Sequence, residues 1–182
     1  MANRIFVCGG NGAGKSTLGR RLAIKLHYPF ADIEDYCFQK TDSEYPYKIS
    51  RTKQEVSALL LHDMENRENL VVAAVKGDYG DRLVSLITHV VYIDVPKEIR
   101  IRRVKARSYR QFGDRMRQGG DLYEEENRFF NMVERRSEQE TEKWLDTLSV
   151  PIVRLDGLKS TDENVDHVIA VLQLLPENQG NP

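Results

Sequence analysis

Cysteine is scarce: Cys8 and Cys37 are the only two in 182 residues, too few for a disulfide framework and without the close neighbours a zinc knuckle needs. A reducing, cytoplasmic setting is therefore expected. Long apolar runs are missing too. The opening MANRIFVCGG has one arginine and a short apolar stretch before its glycines, less than a signal-peptide core or a membrane span requires. No membrane partner is expected. Charge of either sign is not in excess, with 27 Lys and Arg against 28 Asp and Glu, so no bulk field favours nucleic acid or an anionic surface. Small molecules are the expected partners. Internal repeats, low-complexity linkers and composition breaks are absent as well. At this length, with 40% apolar residues, the chain suits one domain over 1–182, as a monomer or small homo-oligomer.

What is present is an alternation of short apolar runs and longer helical stretches, the order of βα units around a parallel sheet. Ile5 to Cys8 reads as the first strand, followed by a helix from Lys15 with Leu18, Leu22 and Leu26 on one face. Pro29 closes that region and Phe30 to Ile33 reads as the second strand. Residues 51–67 predict a helix with Val56, Leu59, Leu60 and Met64 on one side. NLVVAAV and HVVYIDVP are buried parallel strands. A basic helix runs from Pro96 to about Gly113, and a Gly-containing stretch follows to Gly120. An acidic helix then spans 121–147, VPIVRLDG is the last strand, and Thr161 caps a closing helix. The tail 176–182 is expected to fray. The fold class is α/β, a P-loop NTPase domain with a five-stranded parallel sheet flanked by helices and a basic lid insertion, about 107–121, after the fourth strand.

The strongest signal is CGGNGAGKST, residues 8–17. Gly9, Gly14, Lys15 and Ser16 satisfy the G-x-x-x-x-G-K-[ST] pattern between a strand and a helix, where backbone N–H groups and the helix N-terminus can hold phosphates. Gly10, Asn11, Gly12, Ala13, Gly14, Lys15, Ser16 and Thr17 are the expected nucleotide contacts. Lys15 would neutralise the terminal phosphates and Ser16 would coordinate Mg²⁺. A dinucleotide fingerprint fails on spacing, because the glycine it requires falls on Lys15.

Phosphoryl transfer also needs an acceptor in line with the phosphate and a carboxylate nearby. FADIEDY supplies acids. Asp32 and Glu34 alternate on the second strand, expected to lie beside the first, with Asp35 following. Asp32 is assigned to the water shell of Mg²⁺, and Glu34 or Asp35 to orienting or deprotonating the acceptor; helix capping by Asp35 is the plainer alternative. Lys76 and Gly77, at the end of the third strand, occupy an acceptor position, or else a simple strand-to-helix turn.

The chain resembles the nucleoside monophosphate kinase and shikimate kinase group of P-loop small-molecule kinases, of adenylate kinase-like fold. GGNGAGKSTLGRRLA matches the group's opening, FADIEDY its acidic segment with Glu34 in place of an aspartate, and VVYIDVPKEIRIRRVKAR the strand and helix before its lid. The resemblance implies transfer of the γ-phosphate of ATP, with Mg²⁺, under an arginine-bearing lid. Arg107 would then stack on adenine, Arg110 and Arg115 would reach the phosphates, and Arg51 would bind the acceptor. The eight basic residues between Arg100 and Arg117 otherwise pair with the eight acids between Asp121 and Glu142, with Arg100 and Arg102 the weakest functional candidates. VKGDYGDR departs from both branches at the third strand, so neither branch's substrate transfers. A regulatory ATPase is the rival reading, disfavoured because NLVVAAV ends without an acidic residue; a nucleic-acid end kinase would want a basic groove.

Overall fold

The computed structural model describes residues 2–39 and 45–174. The strands are β1 (Asn3–Cys8), β2 (Phe30–Asp32), β3 (Asn69–Ala73), β4 (His89–Asp94) and β5 (Ile152–Asp156). They form one sheet in the order β2-β3-β1-β4-β5, with every pairing parallel. Among the described residues, eight α-helices connect and cover them: α1 (Lys15–Leu26), α2 (Ile33–Cys37), α3 (Lys53–Asn66), α4 (Asp81–Leu86), α5 (Lys97–Phe112), α6 (Tyr123–Arg135), α7 (Gln139–Leu145) and α8 (Thr161–Leu172).

Strand β1 lies at the centre because every side chain from Ile5 to Cys8 is buried. Its alternation feeds two cores. Ile5 and Val7 pack with Leu18, Leu22 and Leu26 of α1 and with Val165 and Val168 of α8. Phe6 and Cys8 face the other way, toward Val56, Leu60 and Met64 of α3 and Trp144 of α7. Burying each large aliphatic side chain contributes about 1.5–3 kcal/mol before entropy is counted, so these two layers fix where the end of β1 points.

Several expectations are corrected. Strand β2 does not lie beside β1; β3 separates them. All four residues of β3 from Leu70 to Ala73 are buried, which suits an interior strand, whereas the three-residue β2 ends in an aspartate and takes the edge. The backbone turns helical at Ile33, so Asp32 and Glu34 do not alternate on a strand. Asp32 is the N-cap of α2, its carboxylate accepting the Glu34 amide at 3.1 Å. On α3 the buried stripe is Val56, Leu60 and Met64, and Leu59 is 43% exposed. Ser160, not Thr161, caps α8: its hydroxyl accepts from the Glu163 amide while the Glu163 carboxylate accepts from the Ser160 amide.

The long acidic helix is two helices, α6 and α7. Ser137 Oγ accepts from the Gln139 amide at 3.2 Å, a local bond that competes with the helical ladder. Between α5 and α6, residues 113–116 form a short 3₁₀ turn. This stretch has a small core of its own, in which Phe112, Met116, Leu122 and Phe130 meet Tyr45 and Val104. Met132 stays out, 42% exposed. The expected frayed tail lies outside the described residues. Among the described residues, no helix is long and apolar enough to cross a membrane.

Candidate functional site

The loop after β1 turns on glycines. Gly14 adopts φ 98° at the N-cap of α1, and Gly12 adopts φ 81°, both in the left-handed region that side chains disfavour. A β-carbon on Gly12 would stand 2.4 Å from the Arg100 carbonyl oxygen. The loop therefore rests directly on the first turns of α5.

Arg100 is the support. It is 5% exposed, its Nε donates to the Val95 carbonyl at 2.9 Å and its guanidinium to the Asn11 carbonyl at 3.4 Å, and it pairs with Glu138. Arg136 adds a second tie, donating to the Asn11 side-chain oxygen at 2.7 Å. By sequence, Arg100 and Arg102 are the weakest functional candidates of the basic helix. The signal was the spacing: Arg100, Val104, Ser108 and Phe112 form one buried stripe on α5, and a cation on an apolar stripe calls for partners.

Lys15 Nζ donates to the Gly10 carbonyl at 3.0 Å. Burial lowers its pKa from 10.5 to about 8, against the upward pull of Glu34 and Asp32, with Arg107 adding to the lowering. An ammonium held where desolvation outweighs its partners is poised for a stronger anion. Cys8, below it, is buried and its thiol is pushed up to about 12 by desolvation, so it remains a core thiol.

Loop and acids meet in one cavity of about 210 Å³ lined by Lys15, Ser16, Thr17, Asp32, Glu34, Arg103 and Arg107, among others. A second cavity of about 310 Å³ adjoins it. Glu34 and Arg107 line both. Ser16 and Asp32 supply oxygen donors on the first cavity's wall, the chemistry a hard divalent cation takes.

The other sequence candidates are placed elsewhere. Asp35 is exposed on α2. Arg51 donates to the carbonyls of Asp35, Tyr36 and Phe38 at 3.5, 2.9 and 3.3 Å, closing the end of α2. Lys76 is held by Asp78 at 3.0 Å and Glu140 at 3.4 Å. A β-carbon on Gly77 would stand 2.7 Å from the Trp144 ring, so this glycine admits the indole. Arg115 forms a two-pronged pair with Asp121, and Arg110 is exposed. None of these six lines either cavity.

The AAA domain family matches residues 5–130, most of the chain and all of the loop, acids and α5 just described. The chain belongs to this family. The chain is 28% identical to the protein YqaC of Bacillus subtilis over 180 residues, 94% of this chain and 98% of that one. It is 31% identical to a shikimate kinase of Bacteroides fragilis over 110 residues, 56% of this chain and 62% of the enzyme, so that match spans less than two thirds of the relative. Among solved structures, a shikimate kinase from Bacteroides thetaiotaomicron superposes with a TM-score of 0.62 at 19% identity, covering 96% of this chain and 100% of that one. A gluconokinase from Sinorhizobium meliloti gives 0.58 at 21% identity, covering 97% and 95%. At these identities the structures speak for the fold. Family, relatives and fold together bear out the resemblance of this AAA domain to P-loop small-molecule kinases of the adenylate kinase-like group.

Proposed function

We propose that the chain is an ATP-dependent kinase that moves the γ-phosphate onto a small acceptor bound in the second cavity. One observation carries this reading: Glu34 and Arg107 stand on the wall common to the phosphate-loop cavity and its neighbour. A nucleotide held by the loop would present its terminal phosphate to that wall, and an acceptor in the second cavity would meet it there.

Each residue then has a task. Loop amides and Lys15 hold the β- and γ-phosphates. Glu34 receives the proton of the attacking hydroxyl. Arg107, given an adenine contact by resemblance, sits where it can balance charge on the transferring group. Ser16 and Asp32 would hold Mg²⁺, directly and through water, and the ion would supply charge neutralisation between the phosphates. The segment 107–121 would serve as a lid that excludes water.

The test is ADP release from MgATP by the purified chain, alone and with pools of nucleosides, nucleoside monophosphates, shikimate and sugar acids. A large stimulation by one pool supports transfer. Slow hydrolysis indifferent to every pool would move the reading to a nucleotide-driven regulatory ATPase.

A further inference from the structure

The second cavity is walled unlike a site for an acid. Phe38, Tyr45, Tyr47 and Phe129 line it, and Tyr45 packs edge-on against Tyr47, which in turn meets Phe38 in a T-shape. Such faces accept a planar ring.

Two cations line it, Arg107 and Arg128. Arg128 donates to Glu125 at 2.9 Å, so that pair is balanced within itself. Arg107 lines the phosphate-loop cavity as well. Arg51 and Lys76, which an acidic acceptor would have needed, are held by main-chain carbonyls and by Asp78 and Glu140. Among the described lining residues Arg107 is the one cation not paired within the wall, and it is shared with the phosphate-loop cavity, where the transferring phosphate would engage it.

Glu126 supplies the opposite preference. It is 3% exposed, and its Oε1 accepts from the Tyr45 hydroxyl at 3.1 Å, while Oε2 has no hydrogen-bond partner among the described residues. A buried carboxyl oxygen without a donor is an uncommon and costly arrangement. A ligand N–H would complete it.

Resting on the kinase reading above, we propose that the acceptor is a neutral or cationic alcohol bearing a planar ring with an N–H donor, preferred over a carboxylate acceptor such as shikimate or gluconate, which would compete with the transferring phosphate for Arg107. The ring lies among the four aromatic side chains, its N–H donates to Glu126, and its hydroxyl points to Glu34. In the transfer, the hydroxyl oxygen forms a bond to the γ-phosphorus as the β,γ-bridging bond breaks. ADP leaves with that electron pair, and the hydroxyl proton passes to Glu34.

The experiment pairs turnover with binding. Cytidine, adenosine, pyridoxine and thiamine, followed by shikimate and gluconate, are offered to the full chain with MgATP, and each is also titrated by ligand-observed NMR without nucleotide. At least one ring alcohol should raise ADP release tenfold or more while both acids leave it unchanged. Glu126→Gln should raise the KM for that alcohol at least tenfold, with kcat and the KM for ATP altered less than threefold. Phe129→Leu, which trims the stacking face without touching the carboxyl, should weaken the same ligand if the glutamine variant folds poorly. Phosphorylation of an acid, undiminished in Glu126→Gln, would overturn the proposed class and leave the kinase standing. Ring alcohols that bind through Glu126 without being phosphorylated would support the pocket and sink the kinase reading. If none of the four binds or turns over, the inference is refuted.

Discussion

Replacing Lys15 with methionine should make the nucleotide-free protein more stable while ending its activity. The displacement of Lys15 from 10.5 to about 8 corresponds to at most roughly 3 kcal/mol of cost for holding the ammonium where it is. Losing its bond to the Gly10 carbonyl returns about 1 kcal/mol, and partial exposure of the side chain trims the rest, so the expected net gain is about 1–2 kcal/mol. For a chain of this size that is about 3–6 °C in Tm. The sign depends on pH. Below about 8 the folded wild type carries the full cost; between about 8 and 10.5 the folded lysine is neutral while the unfolded one is still charged, so wild-type stability recovers. Thermal melts of both proteins without nucleotide, at pH 7 and pH 9.5, should show a gap that narrows as pH rises. ATP should raise the Tm of the wild type and barely move that of the variant, whose ADP release falls by at least a thousandfold. A variant that melts at or below the wild type at pH 7, or a gap of the same size at both pH values, would refute the reasoning.

Three further outcomes are expected. Arg100→Gln should lower unfolding stability by about 2–4 kcal/mol, because it strips partners from Glu138 and two carbonyls, and should weaken ATP binding in calorimetry; unchanged ATP affinity would deny Arg100 its supporting part. Gly77→Ala should cost about 1–3 kcal/mol in urea unfolding through the contact with Trp144, with the KM for ATP unchanged. Glu34→Gln should cut the acceptor-stimulated rate by about a hundredfold to ten-thousandfold while ATP titrations give the wild-type affinity, and normal turnover would remove Glu34 from proton transfer.

The nucleotide half of the site was legible because one short stretch contains both the loop's residues and the strand and helix that aim them. Lys15, Ser16, Asp32, Glu34 and Arg107 do share a cavity wall. The rest was hidden for separable reasons. Local pattern does not encode strand order, so chain order suggests β2 beside β1, whereas the more apolar β3 holds that position. The strand ends at Asp32, one residue before the expected Ile33, and this short shift of the strand-to-helix boundary puts Glu34 on a helix. Arg51 and Lys76 look like ligand cations in sequence, and only tertiary contacts show carbonyls and acids around them. Glu126 lay within a run of glutamates, EEEN, where nothing but burial separates it from its exposed neighbours. The break between α6 and α7 falls at Ser137, with no glycine or proline to announce it.

Placing the phosphate loop on the central strand and the acceptor-side residues on the edge has a consequence for how such a protein can change. β1 is locked between two cores and two neighbouring strands, so substitutions around it are punished twice. β2 has one paired neighbour, and the aromatic wall of the second cavity draws on the separate small cluster around Phe112 and Phe130. The two halves are thus under nearly independent constraint. Random libraries confined to positions 38, 47, 108, 111 and 129 should drift in acceptor preference while keeping ATP affinity, and lineages diverging from a common ancestor would be expected to differ first at these places.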